Sequence, residues 1–152
     1  MPTFTQTGSA VDDYWLVDGQ KDFAIIQVEA VPFLPQPLPI WLKVGNAVFG
    51  ATHILQRHGK WALSHAPSVP ELVHKKLGQS GTVYTTEHES KLKICIRISP
   101  EALMVLNLFD RVPVPHFSVT SLYAMPRSVD GERVGKYKGR PTKQITPNLS
   151  RS

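Results

Sequence analysis

The 152-residue sequence holds a single cysteine, Cys95, so no disulfide can close within the chain and no cysteine cluster can hold a structural zinc. Long hydrophobic runs are equally scarce. The longest uncharged apolar-rich stretch, Ala30 to Leu42, contains Pro32, Pro35, Pro37 and Pro39 and falls short of the roughly 20 residues that a membrane-spanning helix requires. The first ten residues carry no basic cluster and no apolar segment of signal-peptide length. These absences predict a cytoplasmic, disulfide-free protein without a membrane span. Also missing are a His-Glu-x-x-His pair, a glycine-rich phosphate loop and a pair of carboxylates at catalytic spacing. Several metal- and nucleotide-dependent enzyme classes drop out with them, and the expectation is a protein with no cofactor and no metal.

What is present suffices for a folded domain. Hydrophobic residues make up 41% of the chain and aromatic residues 9%, which excludes the low-hydrophobicity regime of disordered chains. The length corresponds to one domain with some surplus. Charge is lopsided. Residues 1–125 balance ten Lys/Arg against ten Asp/Glu, whereas residues 126–152 set seven basic residues against Asp130 and Glu132, so the net +5 resides at the C-terminal end. Within the balanced part, residues 1–30 sum to −4 and residues 31–125 to +4. A basic surface concentrates polyanions, which points to RNA, DNA or an acidic protein as partner.

Residue patterning divides the chain into an N-terminal hairpin and Pro-rich connector (1–39), a core (40–125) and a basic flexible tail (126–152). Asp18-Gly19, flanked by the apolar runs Tyr14–Val17 and Phe23–Val31, predicts a hairpin turn. Ile40–Val44 reads as a short strand. Ala47–Arg57 has helical spacing and Gly59 stands as its expected C-cap. Ser68, with Pro70 and Glu71 behind it, predicts the start of a second helix that runs to Leu77. Thr82–Glu87 reads as a strand, and Leu92, Ile94, Ile96 and Ile98 alternate with Lys91, Lys93, Cys95 and Arg97 as a strand with a cationic stripe. Met104–Phe109 and Phe117–Met125 complete the sheet. Strict alternation in the last strand would place Phe117, Val119, Ser121 and Tyr123 on one face, with Ser118, Thr120 and Leu122 on the other. The basic residues beyond Pro126 have too few aliphatic companions to cover a core.

Chemistry must then come from histidines, hydroxyls and cations. His53 and His58 are five residues apart, which on a straight helix sets them about 140° apart around the axis. His53 and Arg57, four apart, share a face. Lys60, His65, His74, His88 and His116 read as surface or structural groups, and Trp15, Trp41 and Trp61 as core or cleft-edge rings.

Trp41-Leu42-Lys43, the run Phe49-Gly50-Ala51-Thr52-His53-Ile54-Leu55-Gln56-Arg57-His58-Gly59, the basic strands and Ser118-Val119-Thr120-Ser121-Leu122-Tyr123 together resemble the phage-associated nucleases of the barnase, EndoU, colicin and RelE (BECR) class. The resemblance covers about residues 40–125. It implies an α+β fold with two N-terminal helices packed on a four-stranded antiparallel sheet. It further implies His53 and His58 as acid and base, Arg57 and Lys93 as charge stabilisers, and Ser121 and Tyr123 as substrate contacts. Lys91, Lys93, Arg97 and Thr120 complete the expected substrate-binding set.

Such an inventory suits metal-independent cleavage of RNA. A ribose 2′-hydroxyl attacks the adjacent phosphate, a base takes its proton, an acid protonates the departing 5′-oxygen, and cations hold the phosphorane charge. The products would be a 2′,3′-cyclic phosphate and a 5′-hydroxyl. The expectation is an endoribonuclease, a toxin-like or phage effector acting on RNA such as tRNA or mRNA, with room for a neutralising protein partner. Two other readings stand beside it. One is a non-catalytic nucleic-acid-binding module of a phage or mobile element, the other an interaction protein whose tail docks on an acidic partner.

Overall fold

The computed structural model describes residues 2–31, 34–85, 93–98, 102–124 and 132–139. The chain opens with β1 (Phe4–Gln6) and β2 (Trp15–Val17), an antiparallel pair forming a small sheet of their own. Asp18 and Gly19 both take positive φ, at 51° and 80°, as the sequence predicts for a tight turn. The expected hairpin partner does not follow. β2 pairs back with β1, while β3 (Ala24–Ile26) pairs with β4 (Leu38–Trp41) across the proline-rich stretch. The latter segment, read as a connector as far as residue 39, thus contributes Leu38 and Pro39 to a strand. There Leu38, Ile40 and Trp41 are buried, and that burial outweighs the poor strand propensity of Pro39.

Two helices come next, α1 (Gly50–Leu63) and α2 (Val69–Leu77). The Ser68 hydroxyl accepts from the Glu71 N–H at 3.3 Å and Gly78 closes the helix, as the capping residues predict. α1 instead runs past Gly59 to Leu63, so Gly59 is not its C-cap. Burial of Ala62 behind Gly59 draws the chain on through a residue that alone favours termination.

Five strands follow: β5 (Gly81–Thr85), β6 (Lys93–Ile98), β7 (Ala102–Phe109), β8 (His116–Ala124) and β9 (Glu132–Tyr137). They join β3 and β4 in a seven-stranded sheet of order β3-β4-β8-β7-β6-β5-β9. β4 and β8 are parallel, and the remaining pairs are antiparallel. The class is α+β, but among the described residues the helices follow four strands rather than leading, and the sheet is seven-stranded and mixed rather than four-stranded and antiparallel. The extra strands are short, or lie where charge dominates composition. β9 arises inside the segment expected as a tail, because Tyr137 is 2% exposed and its hydroxyl donates to the Leu77 carbonyl at the end of α2.

One side of the sheet supplies the core. Ala24, Ile26, Leu38, Ile40, Phe117, Val119, Leu122, Leu106, Met104, Ile96 and Val83 are buried together with Leu72, Val73 and Leu77 of α2. The sheet curls until its two edges approach. A Cβ on Gly135 of β9 would lie 2.4 Å from the Ala30 carbonyl oxygen, just beyond β3. A groove there is lined by Ile25, Gln27, Glu29 and Ala30 on one wall and residues 136–139 on the other.

Candidate functional site

The candidate site lies where α1 packs along β8. Its first determinant is a β-bulge. Val105 pairs with Ser121 and Leu106 with Val119, leaving Thr120 as the extra residue. Strict alternation would have set Ser121 and Tyr123 on the same side as Phe117 and Val119. The bulge reverses the phase, so Phe117, Val119 and Leu122 face the core while Ser118, Ser121 and Tyr123 share the opposite face.

The second determinant is the loop before α1. Gly45 and Gly50 adopt φ of +76° and +82°, and a Cβ on Gly45 would stand 2.1 Å from the Phe49 carbonyl oxygen, so only glycine fits. α1 has no side-chain cap; its first amides are satisfied by the strand-exit carbonyls instead, Ala51 N–H by Lys43 at 3.0 Å and Thr52 N–H by Val44 at 2.9 Å. The Asn46 side-chain oxygen accepts from the Val48 N–H at 2.8 Å. This tight turn aims the Ala47 carbonyl at His53.

His53 Nδ1 lies 2.8 Å from the Ala47 oxygen and Nε2 lies 3.1 Å from Ser121 Oγ. A carbonyl only accepts, so Nδ1–H donates to Ala47, while Nε2 accepts from the Ser121 hydroxyl when it is unprotonated and donates to Oγ when it carries a proton. Ser121 is 6% exposed. His58 breaks helical geometry within α1, at φ −132° and ψ 18°. That kink overturns the separation of about 140° expected for a straight helix. The two imidazoles stand 5.9 Å apart, edge to face at 84°, and His58 stacks on the Tyr123 ring at 5.0 Å and 30°. Burial lowers the His58 pKa from its ordinary value, and the charges of His53 and Arg57 lower it further.

The geometry thus gathers His53, His58, Ser121 and Tyr123, with the exposed Arg57 near enough to act on His58. Thr120 is the bulge residue. Lys93 and Arg97 are placed by β6 register, opposite Asn107 and Leu103; Leu103 pairs in turn with Tyr123, so the Arg97 backbone is two strands away, about 10 Å. Lys91 and His88 lie outside the described residues.

Sequence reasoning missed the Ala47 carbonyl, since backbone acceptors leave no trace in residue type. It also missed a second aromatic group on the same face. His116 is 4% exposed and sandwiched between Trp41, at 4.0 Å, and Phe109, at 5.3 Å. Its Nδ1 bonds the Val114 carbonyl at 2.9 Å, and its buried Nε2 has no hydrogen-bond partner among the described residues. The alternation of Trp41 with Lys43 in a strand was the available signal. Compared with known proteins, the chain matches no family model, no curated protein and no solved structure.

Proposed function

We propose that this protein is a metal-independent endoribonuclease that cleaves RNA by 2′-hydroxyl attack, leaving 2′,3′-cyclic phosphate and 5′-hydroxyl ends. The observation that carries the reading is the convergence of two imidazoles 5.9 Å apart on one face of β8. An acid and a base at that separation can flank one phosphate, each reaching its own oxygen at hydrogen-bond distance.

The environments divide the labour. His58, kept neutral by burial and by neighbouring cationic groups, takes the proton of the 2′-hydroxyl. His53 acts as the imidazolium, its Nδ1–H held by the Ala47 carbonyl and its Nε2–H oriented by Ser121 Oγ; it passes the Nε2 proton to the departing 5′-oxygen and is left as the neutral ring. Arg57 offers a planar fork to the phosphorane oxygens. Tyr123 fixes the His58 ring by stacking and leaves an aromatic edge beside the reacting nucleotide. DNA lacks the nucleophile and resists. A toxin-like or phage-effector role acting on tRNA or mRNA, with a neutralising protein partner, follows from the resemblance of residues 40–125 to BECR nucleases.

The test is incubation of purified protein with mixed RNA in EDTA, beside His53→Ala and His58→Ala variants whose folding is verified by circular dichroism. Cyclic-phosphate ends from the parent and their loss from the folded variants support the proposal. An unmutated protein that yields no such ends from any of several RNAs refutes it.

A further inference from the structure

Two lysines from distant parts of the chain meet over the aromatic group beside the candidate site. Lys21 Nζ lies 4.5 Å from the Tyr14 ring centre and 4.9 Å from that of Trp41. Lys43 Nζ lies 5.0 Å from Phe109, 5.8 Å from Tyr14 and 5.9 Å from Phe49. Both charges are felt by the intervening His116, whose pKa is lowered first by burial and then, against the raising effect of its bond to Val114, by Lys43 and Lys21. Both amines thus stand beside the same Tyr14 ring, at 4.5 and 5.8 Å from its centre, where an anion would find two positive charges.

Carboxylates offset this charge only in part. Asp12, 87% exposed, approaches Lys43, whose side chain is 15% exposed, at 3.7 Å, a long pair open to water on the Asp12 side. Asp22 spends one oxygen on the Trp41 indole N–H at 2.6 Å. Among the described residues no carboxylate stands within ion-pair distance of Lys21.

The ledge is continuous with the candidate site. Trp41 pairs with Ser118, and Phe109 with His116, so the bulge keeps this row on the same face as Ser121 and Tyr123. Phe49, beneath Lys43, belongs to the turn whose Ala47 carbonyl anchors His53. From Ser121 to His116 the strand covers on the order of 15 Å at about 3.3 Å per residue. That span exceeds the reach of the scissile phosphate and suits a neighbouring part of the same strand of RNA.

We infer that Lys21 and Lys43, mounted on Tyr14, Trp41, Phe49 and Phe109, form a backbone-binding subsite for single-stranded RNA flanking the bond cleaved at His53 and His58. The inference rests on the endoribonuclease reading for its choice of polyanion. Two amines mounted on part-buried rings, with Trp41 the most deeply buried, match the combination that single-stranded nucleic acids select, phosphate contacts beside aromatic groups.

A 2′-O-methyl oligonucleotide, which has no free nucleophile, separates binding from cleavage. Its affinity for the full chain is measured by fluorescence anisotropy across a salt series. Replacing both lysines (Lys21→Gln with Lys43→Gln) is expected to weaken binding and to flatten the plot of log affinity against log salt by about 1.4, or 0.7 for each lost phosphate contact. The charge-conserving pair Lys21→Arg with Lys43→Arg should retain the parental slope, which guards against a folding artefact. Parental slope in the glutamine variant, or no binding by the parent, overturns the subsite. Displacement by polyglutamate as effective as by RNA overturns it in favour of an acidic protein. Failed cleavage with lysine-dependent binding intact would sink the catalytic reading alone.

Discussion

The His58 imidazole lies against the Tyr123 ring at 5.0 Å with 30° between planes, although the two residues come from a helix kink and a strand 65 positions later. Stacking restricts the imidazole to one orientation, and burial under the same ring removes water that would solvate its charged form. Both effects favour a neutral base. With His58 as base, the acidic limb of the pH profile of kcat/KM should fall below pH 6.5, the ordinary histidine value. Arg57→Gln removes one of the charges that hold the His58 pKa down, so the limb should move toward higher pH. The profile of each protein against a fluorogenic RNA reads this directly, and a limb that stays in place removes Arg57 from the electrostatics of His58.

Ser121 distinguishes two ways of using the same hydrogen bond. If its hydroxyl orients His53, Ser121→Ala should reduce kcat about tenfold, the equivalent of one hydrogen bond, with little effect on KM. A serine acting as nucleophile would instead lose all turnover on this substitution, and a fluorophosphonate probe would label the parent at Ser121. Steady-state kinetics and intact-protein mass spectrometry separate the outcomes.

The sequence and the fold agree where local chemistry is strong and part where distant pairing decides. Ser68 and Gly78 bound α2 as their capping preferences predict, and residues 93–98 form a strand, β6, as their alternation predicts. β1–β4 are three or four residues long, too short for periodicity to register, and their partners are set by tertiary contact. The phase of β8 depends on the bulge at Thr120, a feature of the β7 pairing rather than of the β8 residues. The same holds at the site. His53, His58, Ser121 and Tyr123 were legible as residue types, whereas the convergence of the imidazoles depends on the non-helical backbone at His58, which no side-chain pattern encodes. Lys21 carried no signal, because only the fold brings it to Trp41.

Stability should fall on mild acidification. His58 and His116 both have lowered pKa values in the folded protein, chiefly through burial. Below the ordinary value of about 6.5 the unfolded chain binds these protons more readily than the folded one, so unfolding is favoured as pH drops. The contribution is fully present above about pH 6.5 and is lost as pH falls through the lowered folded values. Urea midpoints measured between about pH 5 and 7.5 should rise with pH across that window, and a His58→Gln, His116→Phe double variant should show a flatter rise.

Closure of the sheet makes Gly135 intolerant of any side chain. A Cβ there would sit 2.4 Å from the Ala30 carbonyl oxygen and 2.6 Å from that of Glu29. Both are backbone atoms that cannot rotate aside, so Gly135→Ala must push β9 away from the turn after β3. The expected loss is on the order of 1–3 kcal/mol, the range for overpacking. A thermal midpoint equal to that of the parent would mean that the two edges of the sheet do not meet in solution.

His116 offers a substitution that should cost little or even stabilise. Its ring fills the space between Trp41 and Phe109, but its buried Nε2 has no partner among the described residues, a desolvation penalty of about 1–3 kcal/mol. Phenylalanine retains the stacked plane and removes the orphan nitrogen. It gives up the Nδ1 bond to the Val114 carbonyl, yet Val114 is itself exposed, so water can replace that donor. His116→Phe should therefore leave the thermal midpoint unchanged or raise it, whereas His116→Ala, which empties the sandwich, should lower the midpoint, with a loss of unfolding free energy of about 3–5 kcal/mol as for other aromatic truncations. Equal destabilisation by both variants would show instead that Nε2 is bonded in solution and that the imidazole is held for its polarity.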